Sequence, residues 1–263
     1  MHDPSGELYI KTANLKKQQG YKVYVLNFGK PEHSNAYNFM DYANDISSQK
    51  KVAHALVQNT SKGAGDNFWN IKATSLITLC IGIAKSALEP RFHNLYTVKT
   101  LVSMLASSPE TTTDKLFADY GNIQQQLDYK EFIMYDKKLQ SSIIASTQAA
   151  LSHFEDDNIA RLSSQHDIDF SSFRKEKSIL YIQNETADIE YYKPLISIVF
   201  QQFFAEITKQ LPIENDLDLF FLIDECSSLQ LPAIPIFLAN CRKYRVGCLT
   251  AFQNLSQLEH AYG

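Results

Sequence analysis

The sequence has few of the residues that interrupt regular structure. Only 9 Gly and 8 Pro occur among its 263 residues, below the average usage of about 7% and 5%. This scarcity disfavours collagen-like, linker-rich and repeat-turn architectures, and a hydrophobic content of 44% excludes a disordered chain. The composition predicts a globular protein with room for one large domain or two smaller ones.

Several motifs of enzyme sites are also missing. The four cysteines form no Cys-x-x-Cys pair and the seven histidines no His-Glu-x-x-His spacing, so metal catalysis by protein ligands has no support. No Gly-x-Ser-x-Gly elbow of a serine hydrolase occurs. A Gly-x-x-x-x-Gly-Lys-Ser/Thr phosphate loop is absent too, since residues 62–65 (KGAG) lack both its spacing and its terminal Lys. We therefore expect this chain alone to bind nucleotide poorly.

Neither charge nor hydrophobicity reaches an extreme. The 25 Lys and Arg against 29 Asp and Glu leave a net charge of −4, which excludes a protein that grips nucleic acid over its whole surface. This net charge does not exclude a local groove that contacts DNA. The longest apolar stretch, residues 75–88, contains Lys85 and falls short of the roughly 18 residues of a membrane span, so it predicts a buried helix.

The hydrophobic periodicity divides the chain into three parts. Apolar strands alternate with helices in residues 1–44 and again in 166–263, whereas 45–165 read as almost purely helical. The first and last parts predict an α/β core with a parallel sheet covered on both faces, and the middle part an all-α insertion. The predicted strands are 22–27, 178–183, 217–223 and 247–252; the predicted helices are 7–19, 46–58, 67–88, 98–106, 113–120, 137–154, 192–211, about 235–244, and 256–262.

The strongest local signal is an acidic pair, Asp224 and Glu225, directly after the apolar strand 217–223. Parallel strands end at the edge of the sheet where open α/β folds bind ligands. In phosphoryl-transfer ATPases such an Asp holds the water shell of Mg²⁺, and the following Glu can polarise the attacking water. The alternative is a strand that runs into an acidic surface turn.

Two further features favour the catalytic interpretation. Gln253 follows the neighbouring strand, where a neutral amide can sense a γ-phosphate or align water, although polar residues end most strands. Arg242, Lys243 and Arg245 lie on or just after the helix that follows the acidic pair. In a ring of subunits such a guanidinium can reach a neighbour's nucleotide, but an Arg can equally be solvated or ion-paired.

Several segments, in sequence order, resemble the type IV secretion coupling proteins, the DNA-pumping ATPases of bacterial conjugation. Residues 3–8 (DPSGEL) are similar to the family's Asp-Pro-Lys-Gly-Glu-Leu segment, and residues 20–27 with Tyr37-Asn38 to the next strand and its continuation. Phe68-Trp69 resembles the start of the family's inserted all-α domain. Residues 221–263 resemble its second nucleotide motif through to the Gln-Ser-x-Ser-Gln-Leu and Tyr-Gly segments.

The resemblance implies a RecA-like motor domain that carries an all-α domain, with ATP and Mg²⁺ as cofactors. It implies a homo-hexameric ring at the cytoplasmic face of the bacterial inner membrane, with single-stranded DNA, relaxase, relaxosome accessory proteins and secretion channel components as partners. By position, Asp224 and Glu225 would be the second nucleotide motif, with Asp224 on Mg²⁺ through water. Gln253 would be the third motif and Arg242 the arginine finger.

The chain departs from the family pattern at a few places. Ser5 replaces a Lys, Phe39 a Pro, and Cys226-Ser227 the commoner Phe/Leu-Pro after the acidic pair. The P-loop and membrane helices of the family are not in this sequence, so we expect a fragment that starts after the P-loop and is inactive alone. Two other interpretations stay open: a non-hydrolytic module in which residues 45–165 dock relaxosome proteins, and a related secretion ATPase that moves only protein.

Overall fold

The structure, a computed structural model, describes residues 1–60, 67–107, 112–229, 231, 234–252 and 254–262. Helices and strands alternate at both ends of the chain, and the middle is helical. In chain order they are α1 (Glu7–Gln18), β1 (Lys22–Asn27), α2 (Ile46–Thr60), α3 (Asn67–Ala87), α4 (Leu95–Ser107), α5 (Thr112–Tyr120), α6 (Ile123–Ile133), α7 (Lys137–Ala150), α8 (Asp157–Leu162), β2 (Ser178–Gln183), α9 (Ile189–Ile207), β3 (Leu219–Ile223), α10 (Cys226–Leu229), α11 (Ile234–Asn240), β4 (Val246–Thr250) and α12 (Leu255–Tyr262).

The chain folds as two compact units. One, the sheet unit, comprises Met1–Ala36 and Asp167–Gly263, and the other, the helical unit, comprises Tyr37–His166. The first boundary lies earlier than the expected one at residue 44, because Tyr37, Phe39 and Met40 are fully buried in the helical unit.

The sheet unit is built on two parallel strand pairs. β1 pairs with β2 from Lys22–Ser178 to Asn27–Gln183, and β3 pairs with β4 from Leu219–Val246 to Ile223–Thr250. His2 forms parallel bridges to Ile182 and Ile223 and so joins the two pairs in the order β1, β2, His2, β3, β4.

The first residues of the chain are therefore part of the sheet. The His2 N–H donates to the Leu222 carbonyl at 2.8 Å and the Asp3 N–H to the Ile182 carbonyl at 2.8 Å. The composition of residues 1–6 (MHDPSG) is typical of a turn, but residues 1–3 pair with the sheet instead. Backbone donors from this short segment satisfy both flanking strands, which a turn could not do.

The faces of the sheet are covered unequally. On one face Phe221 of β3 packs edge-on against Phe203 and Phe204 of α9, with ring centroids 5.0 Å apart in both pairs. On the other, α1 covers β2, where Thr12 Oγ1 lies 2.7 Å from the Tyr181 hydroxyl.

The sheet was expected to be covered on both faces, but one face of β3 and β4 is exposed. Phe220 is 74% exposed and Leu249 66% exposed. Both side chains lie on the second face, because residues that alternate with buried ones along a strand point to the opposite side. Among the described residues, α1 covers this face only beside β1 and β2.

The helical unit is arranged around α3, which contacts α2, α4, α5, α6 and α7. Its described residues contain no strand. Helix α6 was not predicted; it begins at a capping box in which Asn122 and Gln125 exchange hydrogen bonds, both 2.9 Å long. The predicted helix 137–154 ends at Ala150 and continues as a 3-10 turn.

None of the helices in the described part of the chain combines the length and hydrophobicity needed to cross a membrane.

Candidate functional site

The candidate site lies at the carboxyl edge of the parallel sheet. Here β1 ends at Asn27, β2 at Gln183 and β3 at Ile223, and the Asp224–Glu225 turn follows β3 directly. The register of the strands brings these ends to one edge, because paired parallel strands run in the same direction. In open α/β sheets this edge is where ligands bind.

The acidic turn has an unusual backbone. Asp224 is exposed and Glu225 is half-buried. Glu225 adopts a φ of 51°, the left-handed region in which a residue with a Cβ is disfavoured. Its N–H donates to Asp224 Oδ1 at 3.1 Å. Such a conformation at a non-glycine residue persists only where the surroundings hold it.

Two contacts hold the far side of this turn. The Cys226 N–H donates to the Ala251 carbonyl at 3.0 Å, which ties the turn to the segment after β4. Ser227 Oγ donates to Gln257 Oε1 of α12 at 3.2 Å. Ser227, which stands where the resemblance to the family predicts a proline, thus makes a side-chain hydrogen bond that proline could not make.

A third contact comes from His2, which is fully buried. Its Nδ1 lies 2.7 Å from the Asp224 carbonyl and its Nε2 lies 3.1 Å from Asn184 Oδ1. Burial lowers the pKa of His2. His2 and Asn184 had not been singled out from the sequence, because their proximity to the acidic pair depends on pairing between segments far apart in the chain.

The Asp3 carboxylate also belongs to this edge and was not predicted as a site residue. It is buried and accepts hydrogen bonds from the N–H groups of Leu8 at 3.2 Å and Tyr9 at 2.7 Å. These donors belong to the first turn of α1, where a carboxylate is favoured by unpaired N–H groups and the helix dipole. Asp3 therefore fixes α1 to the sheet.

Gln253 lies outside the described residues. Its strand, β4, is next to β3 and ends at Thr250. Its role as a γ-phosphate sensor remains a prediction.

Arg242 lies at the amino edge of the sheet, whereas the acidic pair lies at the carboxyl edge. It belongs to the 3-10 turn Cys241–Tyr244, which leads into the first residue of β4. The Leu219 N–H donates to the Arg245 carbonyl at 3.2 Å, so this turn lies at the amino edge of β3. The length of β3, about 16 Å at 3.3 Å per residue, separates it from Asp224. One copy of the chain does not bring Arg242 and the acidic pair together.

The basic residues of this turn differ in their contacts. Arg245 is anchored, with Nε 2.7 Å from Asp218 Oδ1 and NH1 3.0 Å from the Ile213 carbonyl. Lys243 lies over the Tyr244 ring. Arg242 is exposed, and its guanidinium makes no hydrogen bond or ion pair with another residue in the part of the chain that the structure describes. Its guanidinium is free to contact a separate molecule.

The acidic edge fits a magnesium ion better than a metal bound by protein ligands alone. No cluster of three or more His, Cys, Asp or Glu that could hold a metal occurs among the described residues. Mg²⁺ instead keeps several waters and takes one or two carboxylates together with substrate phosphates. The exposed Asp224 carboxylate can supply this outer contact, whereas the sequence contains no phosphate loop.

A second concave region lies within the helical unit. This cleft has a volume of about 660 Å³ and is lined by residues of α2, α3 and α6 among others. Lys72 Nζ in it donates to Glu131 Oε1 at 3.0 Å and to the Tyr135 hydroxyl. The hydrogen bonds to Tyr135 and Glu131 raise the pKa of Lys72. The cleft also contains neutral amide side chains, among them Gln49 and Gln125. It therefore combines positive, negative and neutral polar groups.

Comparison with known proteins places the whole chain in one family. The sequence model described as "Type IV secretory system Conjugative DNA transfer" matches residues 1–263. Protein VirD4 of Rhizobium rhizogenes is 24% identical over 274 residues, an alignment that covers 99% of this chain and 39% of VirD4. Protein VirD4 of Agrobacterium fabrum is also 24% identical and is covered to 40%.

Solved structures of the bacterial conjugative coupling protein TrwB share the fold. The unbound TrwBdeltaN70 structure aligns with a TM-score of 0.63 at 19% identity and covers 100% of this chain and 63% of that one. TrwB in complex with ADP and Mg²⁺ aligns with a TM-score of 0.63 at 18% identity, over 100% of this chain and 65% of that one.

The chain spans about two fifths of the length of the VirD4 relatives. The family model nevertheless covers all of it. The family expected from the sequence segments is confirmed: this chain belongs to the type IV secretory system conjugative DNA transfer family of coupling proteins.

Proposed function

We propose that this chain is the acidic half of the nucleotide site in a motor ATPase that moves single-stranded DNA and its attached relaxase through a type IV secretion system. One observation carries the proposal. The Asp224–Glu225 turn stands at the carboxyl edge of β3 in a left-handed conformation that several contacts hold.

The two carboxylates have different roles in this proposal. Asp224 is exposed and holds the water shell of Mg²⁺, which neutralises phosphate charge when bound. Glu225 is half-buried beside it and accepts a hydrogen bond from the attacking water, which raises the nucleophilicity of that water. Gln253 aligns the same water or senses the γ-phosphate.

Nucleotide binding needs residues beyond this chain. TrwB has been solved with ADP and Mg²⁺ and with a non-hydrolysable ATP analogue, and by this likeness ATP and Mg²⁺ are the proposed cofactors here. This sequence has no Gly-Lys loop to hold the phosphates. We expect the isolated chain to be inactive and the complete protein to hydrolyse ATP.

The position of Arg242 supports a shared site between subunits. It lies at the amino edge, about one strand length from its own acidic pair, and is exposed. In a homo-hexameric ring, a head-to-tail contact would place the amino edge of one subunit against the carboxyl edge of the next. Arg242 then neutralises transition-state charge on the neighbour's nucleotide.

The partners follow from the family's role in conjugative DNA transfer. They are single-stranded DNA, relaxase with its accessory proteins, and channel components, with the complete protein at the cytoplasmic face of the inner membrane. We assign the docking of relaxosome proteins to the helical unit, whose cleft contains the Lys72 cation and the Glu131 carboxylate.

The test is DNA-stimulated ATP hydrolysis by the complete protein. Glu225→Gln keeps the size of the side chain but removes the base, so turnover falls by about 100-fold or more. Glu89→Gln, at an exposed residue of the helical unit, serves as the matched control and keeps wild-type turnover.

Wild-type hydrolysis by Glu225→Gln would eliminate the proposed role. Hydrolysis that depends on Glu225 but is not stimulated by DNA would favour a related ATPase that moves only protein.

A further inference from the structure

The side chain of His2 bridges the acidic turn and the end of a second strand, β2. It is fully buried, and Asn184, directly after β2, is 1% exposed. The imidazole lies between them, with Nδ1 2.7 Å from the Asp224 carbonyl and Nε2 3.1 Å from Asn184 Oδ1. Both ring nitrogens are therefore in contact with defined polar groups.

The chemistry of the partners fixes the proton on Nδ1. A backbone carbonyl can only accept a hydrogen bond, so Nδ1 at 2.7 Å from it carries a proton. An asparagine amide can present either its oxygen or its NH₂ group to Nε2. Asn184 therefore contacts Nε2 whichever tautomer the ring adopts. The Asp224 carbonyl alone requires the proton on Nδ1.

The bonded carbonyl belongs to the peptide group that sets the conformation of Glu225. The Asp224 carbonyl and the Glu225 N–H lie on opposite sides of one planar peptide unit. The N–H of this unit donates to Asp224 Oδ1 at 3.1 Å. Rotation of the unit by half a turn would change φ of Glu225 from 51° to an extended value, which removes the left-handed strain. The same rotation would break the bond to His2.

We propose that His2, oriented by Asn184, is a positioning residue that locks the Asp224–Glu225 peptide unit against this flip. The lock keeps Glu225 left-handed and so sets the direction in which its carboxylate leaves the sheet edge. The function of that direction rests on the proposed ATPase activity, whereas the lock itself is a property of this chain.

Two substitutions at residue 2 separate the lock from general packing. His2→Asn places an amide NH₂ close to the position of Nδ1 and can still donate to the Asp224 carbonyl. His2→Gln places its amide near Nε2, keeps contact with Asn184 and loses the donor to Asp224. Both variants remove the ring. Because Asn is one methylene smaller than Gln, it leaves the larger cavity, so packing alone would predict the greater loss in His2→Asn. Thermal unfolding serves as the control for stability.

The first measurement uses NMR on the 263-residue chain without nucleotide. In the wild-type chain, the ¹⁵N chemical shifts of the His2 ring show a proton on Nδ1. The backbone ¹³C shifts of Glu225 indicate a left-handed residue in the wild type and in His2→Asn, and an extended one in His2→Gln. A His2 ring protonated only on Nε2, or a left-handed Glu225 in His2→Gln, would overturn the proposal.

The second measurement is ATP turnover by the complete protein. We expect His2→Gln to lower kcat by about tenfold, the equivalent of one lost buried hydrogen bond, with KM for ATP unchanged. His2→Asn restores turnover to within about threefold of the wild type. Equal losses in both variants would show that the ring is needed for packing and contradict the lock.

The two proposals fail in different ways. If Glu225→Gln keeps its turnover while His2→Gln changes the Glu225 shifts, the ATPase role fails and the lock stands. If Glu225→Gln loses activity while His2→Gln leaves the shifts of Glu225 as they are, only the lock fails.

Discussion

At the scale of single residues, the acidic turn contains a strained backbone conformation. Glu225 and Arg245 are the described non-glycine residues with positive φ, at 51° and 53°. One follows the carboxyl end of β3 and the other precedes β4 at the opposite edge. Each is held by neighbouring contacts, Glu225 through its peptide unit and Arg245 through the side chain of Asp218. Strained residues of this kind cluster at active sites and ligand-binding loops, which agrees with a functional role for the acidic turn.

The strain at Glu225 can be measured with a pair of substitutions. Glu225→Gly and Glu225→Ala both remove the carboxylate, but only glycine adopts a left-handed φ without penalty. The glycine variant should unfold with a free energy about 1 kcal/mol higher than the alanine variant. Urea denaturation of the 263-residue chain checks this order. An alanine variant as stable as the glycine variant would mean that the turn relaxes out of the left-handed region.

At the scale of elements, strand β3 shows why alternation decides the cost of a substitution. Phe221 is 4% exposed and its ring lies 5.0 Å from those of Phe203 and Phe204 and 5.5 Å from that of Phe237. Phe220, one residue earlier, is 74% exposed on the other face. Two adjacent residues of the same type thus occupy opposite environments.

This contrast predicts a large difference between two matched alanine variants. Phe221→Ala should lower the free energy of unfolding by about 3–5 kcal/mol, because it leaves a cavity in an aromatic cluster. Phe220→Ala should lower it by less than about 1 kcal/mol, since the ring is largely solvated. Chemical denaturation followed by circular dichroism distinguishes them. Similar losses in both variants would indicate that the exposed face of β3 is covered in solution.

At the scale of the whole molecule, burial of titratable groups in the sheet unit makes the stability of the 263-residue chain depend on pH. The α-amino group of Met1 donates to the Leu180 carbonyl at 2.6 Å, and burial lowers its pKa from 8.0 to about 5. The unfolded chain therefore binds more protons than the folded one between about pH 5 and 8. Stability rises with pH wherever the unfolded state binds more protons.

The amine predicts a pH dependence that a simple control can isolate. A chain with a free α-amino group at Met1 should gain about 3 kcal/mol of stability from pH 5.5 to 8.0, because burial lowers the pKa of that group from 8.0 to about 5. Burial of His2 lowers the pKa of its imidazole, so His2 also makes the folded chain more stable as the pH rises. Extending the chain by two residues before Met1 replaces the amine with a neutral amide N–H, which can donate to the same carbonyl.

Thermal unfolding at the two pH values is the measurement for both chains. The extended chain should lose most of the rise in Tm. An equal rise in the two chains would assign the dependence to other groups.

The local structure was largely predictable from the residues. Strands β1 and β2 have the predicted ends, because Val, Ile, Leu and Tyr favour strands and polar residues or Gly bound them. Helix α6 was missed although Asn122 and Gln125 form a capping box, since its run of Gln residues carries little amphipathic pattern. The ends of α7 and α9 also differ from the predicted ones, because packing overrides propensity in the last turn.

The sequence by itself determined the strands, most helices, the family and the place of Asp224 and Glu225 after β3, because these depend on local periodicity and short motifs. Only the tertiary structure decided that His2 joins the two strand pairs, that Asn184 and His2 meet the acidic turn, and that Arg242 lies at the other edge. These placements depend on strand order and register, which arise from pairing between segments far apart in the chain.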